Sequence, residues 1–116
     1  MTLTLDQFDE VFVALADPSR RAVLQMLAEA GEGTATTLSA CLPISRQAVV
    51  KHLAQLDRAR LVVSRRTGRE VRYCVHPGRL VAAAEGIEAI AESWDRTLAE
   101  LKKVAEDTAP EGRAGR

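Results

Sequence analysis

The chain has 116 residues, of which 28% are charged and 47% hydrophobic, and its formal net charge is zero. This length suits one domain and excludes a two-domain enzyme with a large substrate cleft. The sequence contains no run of about 18 apolar residues that could form a transmembrane helix, and no signal peptide is recognisable at its N-terminus. Cys41 and Cys74 are too few for a disulfide scaffold or a four-cysteine zinc site. We therefore expect a protein of the reducing cytoplasm that has no membrane partner.

Apolar residues at three- and four-residue intervals predict four helices in the first half of the chain. Asp17 and Pro18 are typical of a helix start, because Asp caps the helix and Pro is tolerated at its first position. Pro43 cannot continue a helix, so it separates the third and fourth helices by a short turn, as in a helix-turn-helix. The predicted helices cover residues 3–15, 18–30, 36–42 and 46–59.

The second half predicts a β-hairpin followed by one long helix. Residues 61–66 and 70–75 are rich in β-branched side chains and flank Thr67-Gly68, a pattern typical of two antiparallel strands. Residues 78–105 carry a continuous apolar stripe and predict a helix, whereas the small, polar residues 106–116 predict a disordered tail. The expected architecture is one domain at 1–105, mainly α with a small β-hairpin, in the order of a winged helix-turn-helix.

The net charge is zero over the whole chain, but the charges are distributed unevenly along the sequence. Residues 45–72 hold eight basic and two acidic side chains, a net charge of +6, and the other 88 residues carry a net charge of −6. A basic block in an otherwise acidic chain is typical of a surface that binds a polyanion. A solvated charged face is the alternative, and the position of the block on the fourth helix and the hairpin favours nucleic acid.

A helical wheel divides the fourth helix into an apolar face, with Val49, Leu53 and Leu56, and a polar face. The polar face suits the major groove, where Gln pairs with adenine, Arg and Lys pair with guanine or phosphate, and Val contacts a thymine methyl group. A serine at the start of the helix can cap it or bind a phosphate. With the hairpin arginines added for phosphates or the minor groove, the expected DNA-binding residues are Ser45, Arg46, Gln47, Val50, Lys51, Arg65, Arg66 and Arg69.

The histidines and cysteines give weaker signals. His52 is expected to be a partly buried, hydrogen-bonded side chain, with a phosphate contact or a pH-sensitive role as alternatives. Cys41 and Cys74 are expected to be small buried hydrophobic residues. Neither a Ser/His/Asp or Cys/His arrangement nor a phosphate-cradling glycine loop is recognisable, so we expect no enzymatic activity.

Three blocks of sequence carry a family pattern: residues 15–24 (LADPSRRAVL), residues 42–53 (LPISRQAVVKHL), and Leu61-Val62 with the turn at 66–70. Together they resemble the ArsR family of bacterial winged-helix repressors, over about residues 8–105. The resemblance implies a homodimer that binds a palindromic operator in double-stranded DNA and is released by an inducer or a metal.

The resemblance also implies a dimer interface built from the first and last helices. This agrees with the apolar stripe of the last helix, which is more than one small domain can cover and which a twofold partner would bury. The expected interface residues are Leu5, Phe8, Phe12, Ile87, Ile90, Trp94, Leu98 and Leu101.

The metal ligands of that family are missing from the matching positions. Metal-sensing members often carry two cysteines on the third helix, where this chain aligns Thr34 and Thr36, and others use Asp and His on the last helix, which here has no His. We therefore expect the metal-independent branch, with no metal, no cofactor and an inducer of unknown identity. The alternative function is a winged-helix protein-interaction module without specific DNA binding.

Overall fold

The computed structural model describes residues 2–108, which contain five helices and one two-stranded sheet in the predicted order. The elements are α1 Leu5–Ala16, α2 Pro18–Ala30, α3 Ala35–Cys41, α4 Arg46–Arg58, β1 Val62–Thr67, β2 Glu70–Val75 and α5 Gly78–Thr108. The predicted winged helix-turn-helix, mainly helical with one small hairpin, is confirmed. The chain divides into two compact units between Ala83 and Ala84, and the helix-turn-helix and hairpin lie in the first. No described helix combines the length and apolarity needed to cross a membrane.

Side-chain oxygen atoms cap the start of each of the first four helices. Each cap accepts a hydrogen bond from a backbone N–H two or three residues further along the chain, which satisfies a donor that the helix leaves unpaired. At α2 one carboxylate oxygen of Asp17 accepts two such bonds, at 2.8 and 3.1 Å, with Pro18 as the first helical residue. The capping residues are Thr4, Asp17, Thr34 and Ser45.

One apolar core joins the helices to the start of β1. Val49, Leu53 and Leu56 of α4 are fully buried, and Leu61 and Val62 continue the core into the first strand. Burial of each Val or Leu side chain contributes about 1.5–3 kcal/mol relative to exposure, so this face holds α4 in place. The other large contributors to the core are Val11, Val23, Leu24, Leu27 and Leu38.

The fourth helix ends in a motif that glycine usually completes. The N–H of Arg60 bonds to the carbonyl of Asp57, and the N–H of Leu61 bonds to the carbonyl of Leu56, both at 2.9 Å. These are the two bonds of a Schellman motif. Arg60 has a φ of 60°, a left-handed conformation that costs a residue with a side chain roughly 1–2 kcal/mol. Full burial of Leu56 and Leu61 holds the strained residue between them.

Arg79, in the first turn of α5, is a buried cation that ties three elements together. Its side chain is only 9% exposed. Nη1 donates to Oε2 of Glu10 in α1 at 3.1 Å and to the carbonyl of Ala59, at the end of α4, at 3.2 Å. A buried charge without partners is costly. The two bonds offset this cost and stabilise the guanidinium in its buried position.

β1 and β2 form the predicted antiparallel hairpin, with Thr67 opposite Glu70 at its tip. Gly68 and Arg69 form the loop, and Gly68 has a φ of 62°, which glycine adopts without steric cost. At the base of the hairpin, Gly33 exchanges two backbone hydrogen bonds with Tyr73, at 3.0 and 2.8 Å. This bridge fastens β2 to the segment between α2 and α3.

Eight predicted boundaries differ from the structure, six of them by a single residue. α1 and α3 begin at residues 5 and 35, rather than 3 and 36, because Thr4 and Thr34 cap them. α5 continues to Thr108, since the first helix breaker in that stretch is Pro110. The prediction of disorder is therefore wrong for residues 106–108, and the rest of the predicted tail, 109–116, lies outside the described residues.

We expect Asp17→Asn to remove a pH-dependent part of the stability. The backbone N–H of Arg20 is the main cause of the lowered pKa of Asp17; desolvation opposes it, and the N–H of Ser19 and the charges of His52 and Arg20 lower it further. A carboxylate with a lowered folded-state pKa stabilises the fold above its unfolded pKa, about 4, and loses this contribution as pH falls through the folded value. Urea unfolding should show the parent more stable at neutral pH and the two proteins converging below about pH 4. A gap that stays constant at every pH would contradict this.

Candidate nucleic-acid interface

The polar face of α4 is turned to solvent because its opposite face is fully buried. At 100° per residue, burial of Val49 and Leu53 places Gln47 and Lys51 on the outer side of the helix, and both are exposed. Val50 beside them is 42% exposed. An amide, an ammonium and an apolar group therefore lie next to one another on an accessible surface, which is the combination that matches base edges in a major groove.

Two side-chain hydrogen bonds hold the first turn of α4. Oγ of Ser45 accepts from the N–H of Ala48 at 3.1 Å, and Nε of Arg46 donates to Oγ1 of Thr36 in α3, also at 3.1 Å. Ser45 therefore acts as a helix cap, one of its two expected roles, and α3 orients Arg46. Both residues are exposed, so the positive end of this helix is open to an anion such as a phosphate.

Glu32 neutralises one side of the hairpin. Arg65 lies directly opposite Arg72 in the register, and like charges in that arrangement repel. The carboxylate of Glu32 lies 3.0 Å from Nη1 of Arg72 and 3.8 Å from Nη2 of Arg65, and Glu70 lies 3.2 Å from Nη2 of Arg72. These carboxylates offset the repulsion between the two arginines. They also neutralise part of the positive charge of the basic block that is predicted to bind DNA.

The strand register places the hairpin arginines, which are close together in the sequence, in different positions. Arg65 and Arg66 are neighbours on β1, so their side chains lie on opposite faces of the hairpin. Arg66 is opposite Val71, and Arg69 is in the loop. Within residues 2–108 the ion pairs of the hairpin involve Arg65 and Arg72 but neither Arg66 nor Arg69. Arg66 and Arg69 are therefore the hairpin cations best placed to meet an external phosphate.

His52 lies at the edge of the apolar face of α4, as expected, and is partly buried. Its Nδ1 atom is buried and has no hydrogen-bond partner, so the expectation of a hydrogen-bonded histidine is wrong for this nitrogen. The hydrogen bond from the backbone N–H of Arg20 is the main cause of the lowered pKa of Asp17, the cap of α2, and the charge of His52 is a minor one.

The cysteines do not both follow the expectation of burial. Cys41, at the end of α3, is exposed, and Cys74 on β2 is partly buried. The prediction of a buried side chain is wrong for Cys41, because the short helix α3 turns Leu38 to the core and leaves its last residue outside. Among residues 2–108, no group of three or more His, Cys, Asp or Glu side chains is arranged to hold a metal ion.

The expected interface residues form an apolar stripe on each of two helices. On α1, Leu5 is 85% exposed, and the Phe8 and Phe12 rings contact each other with their centroids 4.8 Å apart. On α5 the stripe residues lie within about 80° of one another around the helix axis, and each is about half exposed in the single chain. They are Ile87, Ile90, Trp94, Leu98 and Leu101.

Sequence reasoning missed the residues that orient the predicted cations. Thr36 positions Arg46, and Glu32 pairs with Arg65 and Arg72. No local pattern marks either residue, because each is distant in sequence from its partner. Thr36 is 10 positions from Arg46, and Glu32 is 40 positions from Arg72. The bridge between Gly33 and Tyr73 helps to bring Glu32 beside the hairpin.

Known proteins resemble this chain over most of its length. A family model described as a helix-turn-helix domain matches residues 15–65. The HTH-type transcriptional regulator Rv2034 of Mycobacterium tuberculosis is 38% identical over 90 residues, which are 78% of this chain and 80% of that protein. Among solved structures, an ArsR-like transcriptional regulator from Rhodococcus sp. RHA1 is 40% identical with a TM-score of 0.79, over 86% of this chain and 93% of that one.

A second solved structure that resembles this chain is described as a homodimer. It is the homodimeric winged helix-turn-helix DNA-binding domain of Mb0332 from Mycobacterium bovis, a possible ArsR-family transcriptional regulator. Its sequence is 26% identical, and the TM-score is 0.62 over 76% of this chain and 81% of that one.

We expect Glu32→Gln to strengthen the attraction of the hairpin to polyanions. The change releases Arg65 and Arg72 from a neutralising carboxylate, and each additional phosphate that they neutralise steepens the salt dependence of DNA binding by about 0.9 in log–log slope. Binding to random duplex DNA, measured by fluorescence anisotropy at several salt concentrations, should show a steeper slope than the parent. Glu29→Gln, an exposed change in the preceding helix, is the matched control. Equal slopes for all three proteins would show that Glu32 does not limit the hairpin cations.

Proposed function

This chain belongs to the ArsR family of winged-helix transcriptional regulators, and we propose that it is a homodimeric repressor that binds a palindromic operator without sensing a metal. The observation that carries this proposal is the exposed polar face of α4, directly opposite a fully buried face. A DNA-binding regulator works beside the chromosome, so the proposed location is the cytoplasm.

In the proposed complex, α4 enters a major groove and the hairpin contacts the flanking backbone. Gln47, Val50 and Lys51 read base edges, while Ser45 and Arg46 lie at the positive helix end that attracts phosphate. Arg66 and Arg69 bind phosphates or the adjacent minor groove, and Arg65 joins them when DNA displaces Glu32. With two subunits related by twofold symmetry, the half-site centres lie about 10 bp apart or a multiple of that distance.

The apolar stripes of α1 and α5 support a dimer. Each stripe exposes bulky side chains that water disfavours, among them Trp94 at 59% and Leu98 at 56% exposure. An isologous interface buries the same patch on both subunits. The homodimeric state of the Mb0332 domain supports the same arrangement for this chain.

Metal independence rests on the chemistry of the third helix. Thr34 and Thr36 stand where the resemblance places cysteine ligands, and a hydroxyl is a poor ligand for soft metals. Both are engaged in structural bonds: Oγ1 of Thr34 accepts from the N–H of Thr37, and Oγ1 of Thr36 accepts from Arg46. A gel shift on the upstream promoter region tests specific DNA binding against the alternative of a protein-interaction module.

Arg69→Gln and Gln47→Ala should have different effects on DNA binding. Removal of a phosphate-binding charge at Arg69 should weaken binding to all sequences and reduce the salt slope. Removal of a base-reading amide at Gln47 should cost about 1–3 kcal/mol on the operator and little on random DNA. Binding to both duplexes should be titrated from about 50 to 200 mM salt, over which about 6–10 neutralised phosphates would lower parent affinity about 10³–10⁵-fold.

Arg96→Gln, on the exposed part of α5, is the matched control for charge removal. A parent affinity that hardly changes with salt would rule out the proposed interface. Equal losses on operator and random DNA for Gln47→Ala would remove Gln47 from the base-reading residues.

Leu98→Glu should break the dimer and abolish operator binding together. The change places a charge in the α5 stripe, where an interface would have to bury it, and an uncompensated buried charge costs several kcal/mol. Ala99→Glu adds the same charge next to it, on the other side of the same helix and outside the stripe, and should leave the dimer intact. Sedimentation velocity gives the oligomeric state. A dimeric Leu98→Glu protein would place the interface elsewhere.

A further inference from the structure

A cleft of about 490 Å³ lies where α4 ends and β1 begins. Arg58, Arg60, His76 and Arg79 line it, and Asp57 is the one acidic side chain among its described lining residues. Val62 and Val63 complete the lining. The volume lies within the range of about 300–1,000 Å³ that small-molecule sites occupy. Neither the expected DNA-binding residues nor the expected dimer stripe includes any of these side chains.

Arg79 is a preorganised cation in this cleft. Its guanidinium is held by Glu10 and by the carbonyl of Ala59, both through Nη1, and its side chain is 9% exposed. A guanidinium has five N–H donors in a rigid fork, so two bonds from one nitrogen leave other donors to face the cleft. Because the side chain is already fixed, binding an anion here loses little conformational entropy.

Arg60 occupies the cleft at the cost of backbone strain. It adopts a φ of 60° at the cap position where helices favour glycine. A strained residue whose side chain lines a cleft points to a role for that side chain. Arg58 adds a second exposed guanidinium two residues earlier, at the end of α4.

The end of α4 does not repel an anion as a bare helix C-terminus would. The carbonyls of Leu56 and Asp57 accept the two bonds of the Schellman motif, and the carbonyl of Ala59 accepts from Arg79. The oxygens that make a helix C-terminus negative are thus largely engaged. Asp57 lines the cleft and Glu10 pairs with Arg79, so the three arginines exceed the nearby carboxylates by one positive charge.

His76 is an exposed residue that lines the cleft, and its ring lies close to Gly78. A Cβ atom at residue 78 would lie 3.0 Å from Cε1 and 3.4 Å from Nδ1 of the His76 ring, so any larger residue would push the ring away. The backbone N–H of His76 bonds to the carbonyl of Leu61 at 2.9 Å. This bond fixes the backbone of His76, and its imidazole adds a donor to the lining of the cleft.

We propose that this cleft binds a phosphate group through Arg58, Arg60, Arg79 and His76. Guanidinium groups match phosphate oxygens in charge and in bidentate geometry. Two sources supply this chemistry: a free phosphate-bearing small molecule, and the backbone of bound DNA. The cleft joins the end of α4 to the start of the hairpin, so a free ligand there would link both predicted DNA-contacting elements. The site itself does not require the proposed operator or dimer.

The test uses the full chain and two free probes, inorganic phosphate and adenosine monophosphate, at constant ionic strength set with NaCl. Isothermal titration calorimetry gives affinity, and amide chemical shifts locate the site. Arg60→Asn removes the charge and keeps a residue that tolerates the left-handed conformation, so the cap is preserved. Arg96→Asn removes the same charge from an exposed position on α5 that has no proposed binding role, and is the control.

A free ligand is the source if a probe binds saturably and shifts the amides of residues 58–62. Arg60→Asn should then weaken binding about tenfold or more, as expected when a bond to a charged group is removed, while Arg96→Asn leaves it unchanged. DNA is the source if neither probe binds but Arg60→Asn reduces the salt slope of duplex binding by about 0.9 for each phosphate that is no longer neutralised. The proposal is overturned if Arg60→Asn changes neither measurement, or if Arg96→Asn weakens probe binding equally.

Discussion

Complete burial of one side of α4 is the constraint on which the rest of this structure depends. Val49, Leu53 and Leu56 have no exposed surface, so rotation of the helix about its axis would expose apolar area and bury polar groups. The polar face with Gln47 and Lys51 is therefore presented to solvent as a rigid surface. Because the same core continues through Leu61 and Val62, the hairpin begins at a defined position relative to this helix.

The charges of the basic block serve different purposes once the chain is folded. Arg72 is paired with two carboxylates, and Arg65 shares one of them. Arg79, just beyond the block, ties the start of α5 to α1 and α4 through Nη1, and its other donors stay available to the proposed phosphate site. A count of charges in the sequence treats all cations as equal, whereas desolvation and pairing leave only some of them available to a ligand.

The apolar stripes of α1 and of α5 differ in chemistry from the charged residues of α4 and the hairpin. Side chains on α1 and on α5 that a single chain leaves half exposed would be stabilised by a partner copy, since exposed apolar patches of this kind mark interaction sites. Charged recognition on α4 and the hairpin, and apolar association on α1 and α5, use separate residues. The proposed repressor combines the two, because a palindromic site requires two identical reading surfaces at a fixed spacing.

Local patterns in the sequence determined the elements of this protein. Caps such as Asp17 and Ser45, the breaker Pro43 and the turn glycine Gly68 act within a few residues, so their effects could be predicted, as could the buried face of α4 from its periodicity. Only the tertiary structure decided which charges are paired and which groups meet. Glu32 is 40 positions from Arg72 and Glu10 is 69 from Arg79. The exposed Cys41 and the cleft at the end of α4 likewise arise from packing. These features depend on contacts between distant segments, and no pattern within a few neighbouring residues encodes such contacts.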